Sequence, residues 1–121
     1  MSNEEASKIY KGQVESHGGS GNIKADDVNY DHTGNPRKAA PFSIIDHKNV
    51  GRGKVDKRSF YDDKGFLYLE IHSTNHGNFK RHRFGKNGEH AHDIYWIDDE
   101  SQHREGRELT DIERKDNGDI L

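Results

Sequence analysis

The stretch Phe66–Ile97, FLYLEIHSTNHGNFKRHRFGKNGEHAHDIYWI, gathers much of the chain's apolar content, its histidines and its positive charge, and the rest is organised around it. Both ends alternate with the two-residue period of a β-strand, whose successive side chains point to opposite faces. In Phe66–Ser73 that period sets Leu67, Leu69 and Ile71 on one face as a core stripe, with Phe66, Tyr68, Glu70 and His72 on the other. In His90–Ile97 it groups His90, His92, Ile94 and Trp96 against Ala91, Asp93, Tyr95 and Ile97. Two imidazoles therefore lead into an apolar stripe. Residues 75–88 between the strands are rich in Gly and Asn, which tolerate the positive φ angles of tight turns. They are expected as a connecting loop, the part of a sheet protein where function tends to sit.

Upstream, Val55–Tyr61 is a third expected strand, joined to Phe66 by a hairpin at Asp62-Asp63-Lys64-Gly65 in which Gly65 takes the left-handed position. The result is a meander over roughly 55–61, 66–73 and 90–97, with 42–45 as a fourth strand. Downstream, Asp98–Gln102 is a charged turn, and Thr110-Asp111-Ile112-Glu113 fits a capping box that opens a helix of at most two turns before Gly118. Residues 1–40 are polar, with Ser16–Asn22 as a flexible stretch and Ile9-Tyr10 and Val28–Tyr30 as the compact apolar spots. The expected organisation is a flexible polar N-terminal arm, 1–40, with at most a short edge strand near Val28, and one small domain, 41–121. Its fold class is α+β: an antiparallel sheet of three or four strands with a short C-terminal helix.

Composition narrows the function. A chain of 121 residues holds one domain, and 28% hydrophobic against 34% charged residues means a small core. The formal charge of -3 gives no bulk attraction to nucleic acid or to an anionic membrane, so a local patch must supply any such affinity. Residues 71–88 provide one, with Lys80, Arg81, Arg83 and Lys86 and no acid. The absence of cysteine excludes a disulfide framework, a thiolate nucleophile and a cysteine zinc site, and suits a cytosolic location. No apolar run approaches the roughly 20 residues of a membrane span, and the start MSNEEASK has no signal-peptide character, so no membrane partner is expected. Walker, dinucleotide-binding, HExxH and GxSxG motifs are all missing.

The nine histidines, five of them within residues 72–92, carry the chemistry. An imidazole titrates near neutral pH and can both take and give a proton. Metal-independent ribonuclease chemistry needs that pair of acts, with cations to hold phosphate and to stabilise the phosphorane. On this reading His76, His90 and His92 share the acid and base roles, Lys80, Arg81, His82 and Arg83 bind substrate, and no cofactor or metal is required. The cationic loop with Phe79 also suits a phosphate backbone and a stacked base. Two alternatives stay open. His90 and His92 can hold a transition metal with His72, His76 or Asp93 as a third ligand, or the histidines hydrogen-bond neighbouring backbone and the loop is a solvated turn. Glu70 beside His72 reads as a surface salt bridge.

The run His76-Gly77-Asn78, Lys80-x-His82 and Phe84-Gly85-Lys86-x-Gly88-Glu89-His90-Ala91-His92-Asp93 resembles a pattern in phage and prophage domains encoded near, or fused to the end of, phage minor head proteins. Arg107-Glu108-Leu109-Thr110 followed by Glu113-Arg114 is also similar, so the resemblance spans about residues 55–117. The family commonly carries Pro where this chain has Phe79 and Arg83, so a different loop geometry is expected here. The resemblance implies a small phage- or prophage-derived domain, in the host cytoplasm or the phage particle. Its expected partners are RNA or another phage or bacterial protein. The nuclease reading is its sharpest form; the alternative is a non-catalytic interaction or structural protein, and a third is a histidine-rich metal-binding domain.

Overall fold

The computed structural model describes residues 1–49, 51, 53–74 and 84–121. Among these, helix α1 (Asn3–Ser16) precedes six strands: β1 (Asp27–Asn29), β2 (Ile44–Lys48), β3 (Val55–Tyr61), β4 (Leu67–His72), β5 (His90–Trp96) and β6 (Gln102–Arg107). Helix α2 (Asp111–Asp116) follows. The fold is α+β. All six strands form one mixed sheet in chain order, β1 parallel to β2 and every later neighbour antiparallel. The meander is present, but with six strands where three or four were expected. The strand missed outright is β6, whose sequence QHREGR has no apolar alternation because it is a largely exposed edge.

The N-terminal segment is not the polar arm expected from its composition. Ala6, Ile9, Tyr10, Gln13 and Val14 recur at helical spacing and form the face by which α1 packs on the sheet. Ser2 caps the helix by accepting from the Glu5 amide at 3.1 Å. Gln13 is buried at the contact, its amide donating to the Ser43 and Tyr61 carbonyls at 3.1 and 2.9 Å. Residues 27–29 add the parallel edge strand. The C-terminal helix has the expected capping box, with Thr110 Oγ1 accepting from the Glu113 amide and the Glu113 carboxylate accepting from the Thr110 amide. It ends one residue before Asn117, short of Gly118.

Each face of the sheet has its own apolar cluster. The helix-covered face holds Ile44, Phe60, Tyr68, Leu69, Ile71 and Ala91 with Val14, Ile23 and Leu109. The opposite face holds Ile45, Tyr61, Leu67 and Ile94, with Ala39 and Trp96 at its margin. Leu67 therefore does not share a face with Leu69 and Ile71. Its partner is Tyr61 while that of Leu69 is Phe60, so Tyr68 is an extra residue in β4, and the bulge reverses the alternation there. Glu70 and His72 consequently lie on the face opposite the helices, in the same layer as Leu67. The turn before β4 forms as expected: Gly65 has φ 84°, and a Cβ there would stand 2.1 Å from the Ala39 carbonyl oxygen.

Candidate functional site

Register builds the site. Antiparallel pairing of β4 with β5 sets Glu70 opposite His92 and His72 opposite His90, four side chains on one face. The three imidazoles pack against one another, with ring centroids 4.7 Å apart for His72 and His90, 4.6 Å for His72 and His92, and 4.9 Å for His90 and His92. A ring nitrogen of each lies within 4.8 Å of the others. From β6, Arg104 reaches across to pair with the Glu70 carboxylate. Gly106, opposite His92, leaves room for it: a Cβ there would lie 3.4 Å from His92 Cε1 and 3.3 Å from Phe84 Cε2.

A small turn delivers β5 to this position. Gly85 and Gly88 have φ 67° and 86°, and Glu89 accepts from the Lys86 and Asn87 amides at 3.1 and 2.8 Å. Arg114 of α2 pairs with the same carboxylate at 2.8 Å, so the FGKNGEHAHD run is a turn tied to the C-terminal helix. Burial pushes the Glu89 carboxyl up, and the Arg114 pair with the backbone amides more than offsets it, leaving it below the usual carboxylate range.

Hydrogen-bond partners orient the rings. The Gly88 carbonyl, 2.7 Å from His90 Nδ1, can only accept, so His90 carries its proton on Nδ1 and a lone pair on Nε2. His90 Nε2 faces His92 Nε2 at 3.1 Å, so His92 donates from Nε2 to it. His72 Nε2 lies 3.1 Å from Glu70 Oε1 and donates to it.

Electrostatics divide the cluster. Burial would push the Glu70 carboxyl up, but the His72 hydrogen bond and the charges of Lys57 and Arg104 outweigh it and hold Glu70 ionised. Burial drives His72 the other way, well below the usual histidine range, with neighbouring His92 and His90 adding to the effect against Glu70. His72 is neutral at pH 7, so it serves Glu70 through a hydrogen bond, and Arg104 and Lys57 supply the opposing charge. Exposure divides it too. Glu70 is 2% exposed and His90 0%, whereas His92 and Arg104 are partly open.

Of the sequence-predicted residues, His90 and His92 are brought together, and His72 joins them. Glu70 is buried rather than the surface ion pair expected. His76, Lys80, Arg81, His82 and Arg83 lie outside the described residues. Arg104 was missed because β6 was missed. Two other histidines are clamped elsewhere: His47 between Asp56 and the Asp31 carbonyl at 2.7 and 2.6 Å, His17 between Asp26 and the Gln13 carbonyl at 2.7 Å each. These hold β2 to its neighbours and α1 to the sheet edge. No protein-family model, curated protein or solved structure matches the chain.

Proposed function

We propose that the β4–β5–β6 face is the active centre of a small endoribonuclease that works by proton transfer, without a metal. The observation that supports this most is the convergence of an ionised carboxylate, three imidazoles and Arg104 in one patch, with His92 and Arg104 as its open members. RNA supplies its own nucleophile, the ribose 2′-hydroxyl, so the enzyme needs a base, a proton for the leaving 5′-oxygen and a cation for the phosphorane. His92, the partly exposed imidazole of the three, takes the 2′-hydroxyl proton, and its contact with His90 orients the ring. Arg104 supplies the cation. Glu70 and His72 are positioning residues that hold Arg104 and the ring stack. We give the proton for the leaving group to His76, one of the three histidines that share the acid and base roles on the sequence reading, and phosphate contacts to Lys80, Arg81, His82 and Arg83. The phage or prophage setting rests on the resemblance over residues 55–117, and no helix among the described residues is long and apolar enough to cross a membrane.

The test is cleavage of mixed cellular RNA in EDTA. Wild-type protein should cut RNA to ends bearing 2′,3′-cyclic phosphate and leave DNA, which lacks the nucleophile, intact. His92→Ala should abolish cleavage and keep the circular dichroism of the folded protein. Cutting of DNA at a similar rate, or full activity in the folded His92→Ala variant, would overturn the assignment.

A further inference from the structure

We propose that His72, His90 and His92 together form a binding site for one divalent transition-metal ion of the zinc class, and that the ion, when bound, switches off proton transfer at His92. The second half rests on the nuclease reading; the first half does not. Three observations carry the site. The ligand atoms converge, with a ring nitrogen of each histidine within 4.8 Å of the others and His90 Nε2 only 3.1 Å from His92 Nε2. Two nitrogens bound at about 2.0–2.1 Å to a tetrahedral ion stand about 3.3–3.4 Å apart, so this pair is nearly at the required spacing. Outer partners of the kind that orient metal-binding histidines are also in place: His90 Nδ1 on the Gly88 carbonyl, and His72 Nε2 on the Glu70 carboxylate. With Nδ1 so engaged, His90 offers its Nε2 to the ion. Finally, the three rings already pack on one another, with centroids 4.6 to 4.9 Å apart.

The donor set selects the ion. Three imidazoles suit zinc, cobalt, nickel or copper, and they disfavour magnesium and calcium, which take oxygen. Glu70 is committed to His72 and Arg104, so it acts behind a ligand and not as one. A fourth position is left for water.

Binding and catalysis compete for one lone pair. An imidazole that acts as a base offers a single lone pair, and as a ligand it gives that same lone pair to the ion. To ligate beside His90, His92 must turn its Nε2 lone pair to the ion. The lone pair that would receive the 2′-hydroxyl proton is then gone.

The experiment uses the full chain and two separate readouts. Zinc chloride, added after EDTA is removed, should raise the melting temperature by several degrees at an excess of about 100-fold over the dissociation constant, while magnesium and calcium should not. Cobalt(II) should give visible d–d absorption saturating at one equivalent. His72→Ala and His92→Ala should each weaken binding at least 10-fold, consistent with the loss of one ligand. No melting shift together with no cobalt absorption would overturn the site, as would a shift that survives in both variants, since that would place the ion elsewhere. Cleavage should fall over the same zinc concentrations that raise the melting temperature. Zinc that binds with cleavage unchanged would overturn the switch and leave the site standing. Protein that never cleaves RNA in EDTA would overturn the nuclease reading, and the switch with it, while the melting and cobalt data still judge the site.

Discussion

Arg104 sits where two roles meet. Its guanidinium neutralises a buried carboxylate, and about a third of its side chain remains open to solvent. Replacing it with Ala should lower the cleavage rate by about 10²–10³-fold, the usual loss for one donor aimed at developing charge. Arg104→Lys should recover part of that rate, because a point charge remains although the fork geometry is lost. Single-turnover rates beside thermal melts check this; an Ala variant with both rate and melting unchanged would remove Arg104 from the centre. A second residue-scale prediction concerns pH. Burial pushes the Glu113 carboxyl up, but the Arg107 hydrogen bonds at 2.7 and 2.9 Å and the Thr110 amide outweigh it, so its folded pKa lies below the ordinary 4.5. A depressed carboxyl contributes stability that is present above its unfolded pKa and is lost as pH falls through the folded one. The melting temperature should therefore decline below about pH 4.5, and Glu113→Gln should melt lower at pH 7 yet decline less steeply. Parallel acid slopes for the two proteins would contradict this. At this scale the sequence was informative for His90 and His92, because a two-residue period puts them on one face whatever the partner strand. It was silent on Arg104, whose relevance depends entirely on which strand lies next to β5.

Elements show a different pattern of legibility. The strands with apolar alternation, β3, β4 and β5, were readable to within a residue of their ends, since half-buried sheet surface writes that period into the chain. Two features hide from it. The bulge at Tyr68 breaks the period without any Gly or Pro to announce it, so simple alternation places Leu67 on the wrong face. Helix α1 was read as an arm because its apolar share is low, although Ala6, Ile9, Tyr10, Gln13 and Val14 already form a helical stripe; a polar residue, Gln13, sits at the centre of that stripe. Its importance is testable. Gln13→Ala leaves the Ser43 and Tyr61 carbonyls and the Tyr68 hydroxyl without the partner they share, and should destabilise the protein by about 2–3 kcal/mol. Urea unfolding followed by tyrosine and tryptophan fluorescence measures it; a loss below about 0.5 kcal/mol would mean that α1 is only loosely held.

The molecule as a whole is a sheet with one face given to apolar packing and the other divided between apolar packing and the histidine cluster. Polar ties close what a small apolar core leaves open. Arg58, 1% exposed, bonds Asp46 at 2.8 and 3.0 Å and Asp119 at 3.0 and 2.9 Å, joining β3 to β2 and to the segment after α2. Tyr10 of α1 donates to Asp116 of α2 at 2.8 Å, and Asn117 donates back to Tyr10 Oη at 3.2 Å. These two contacts span 106 and 107 residues, whereas β2 to β6 pair only with their neighbours in sequence. On a ribosome, where the chain emerges from its N-terminus, the meander can zip up strand by strand as each hairpin leaves the tunnel. Helix α1 is made first, yet its tyrosine meets its partner only after residue 116 has been released. Until then its apolar stripe has an incomplete seat, which makes the earlier of the two helices the last element to be locked.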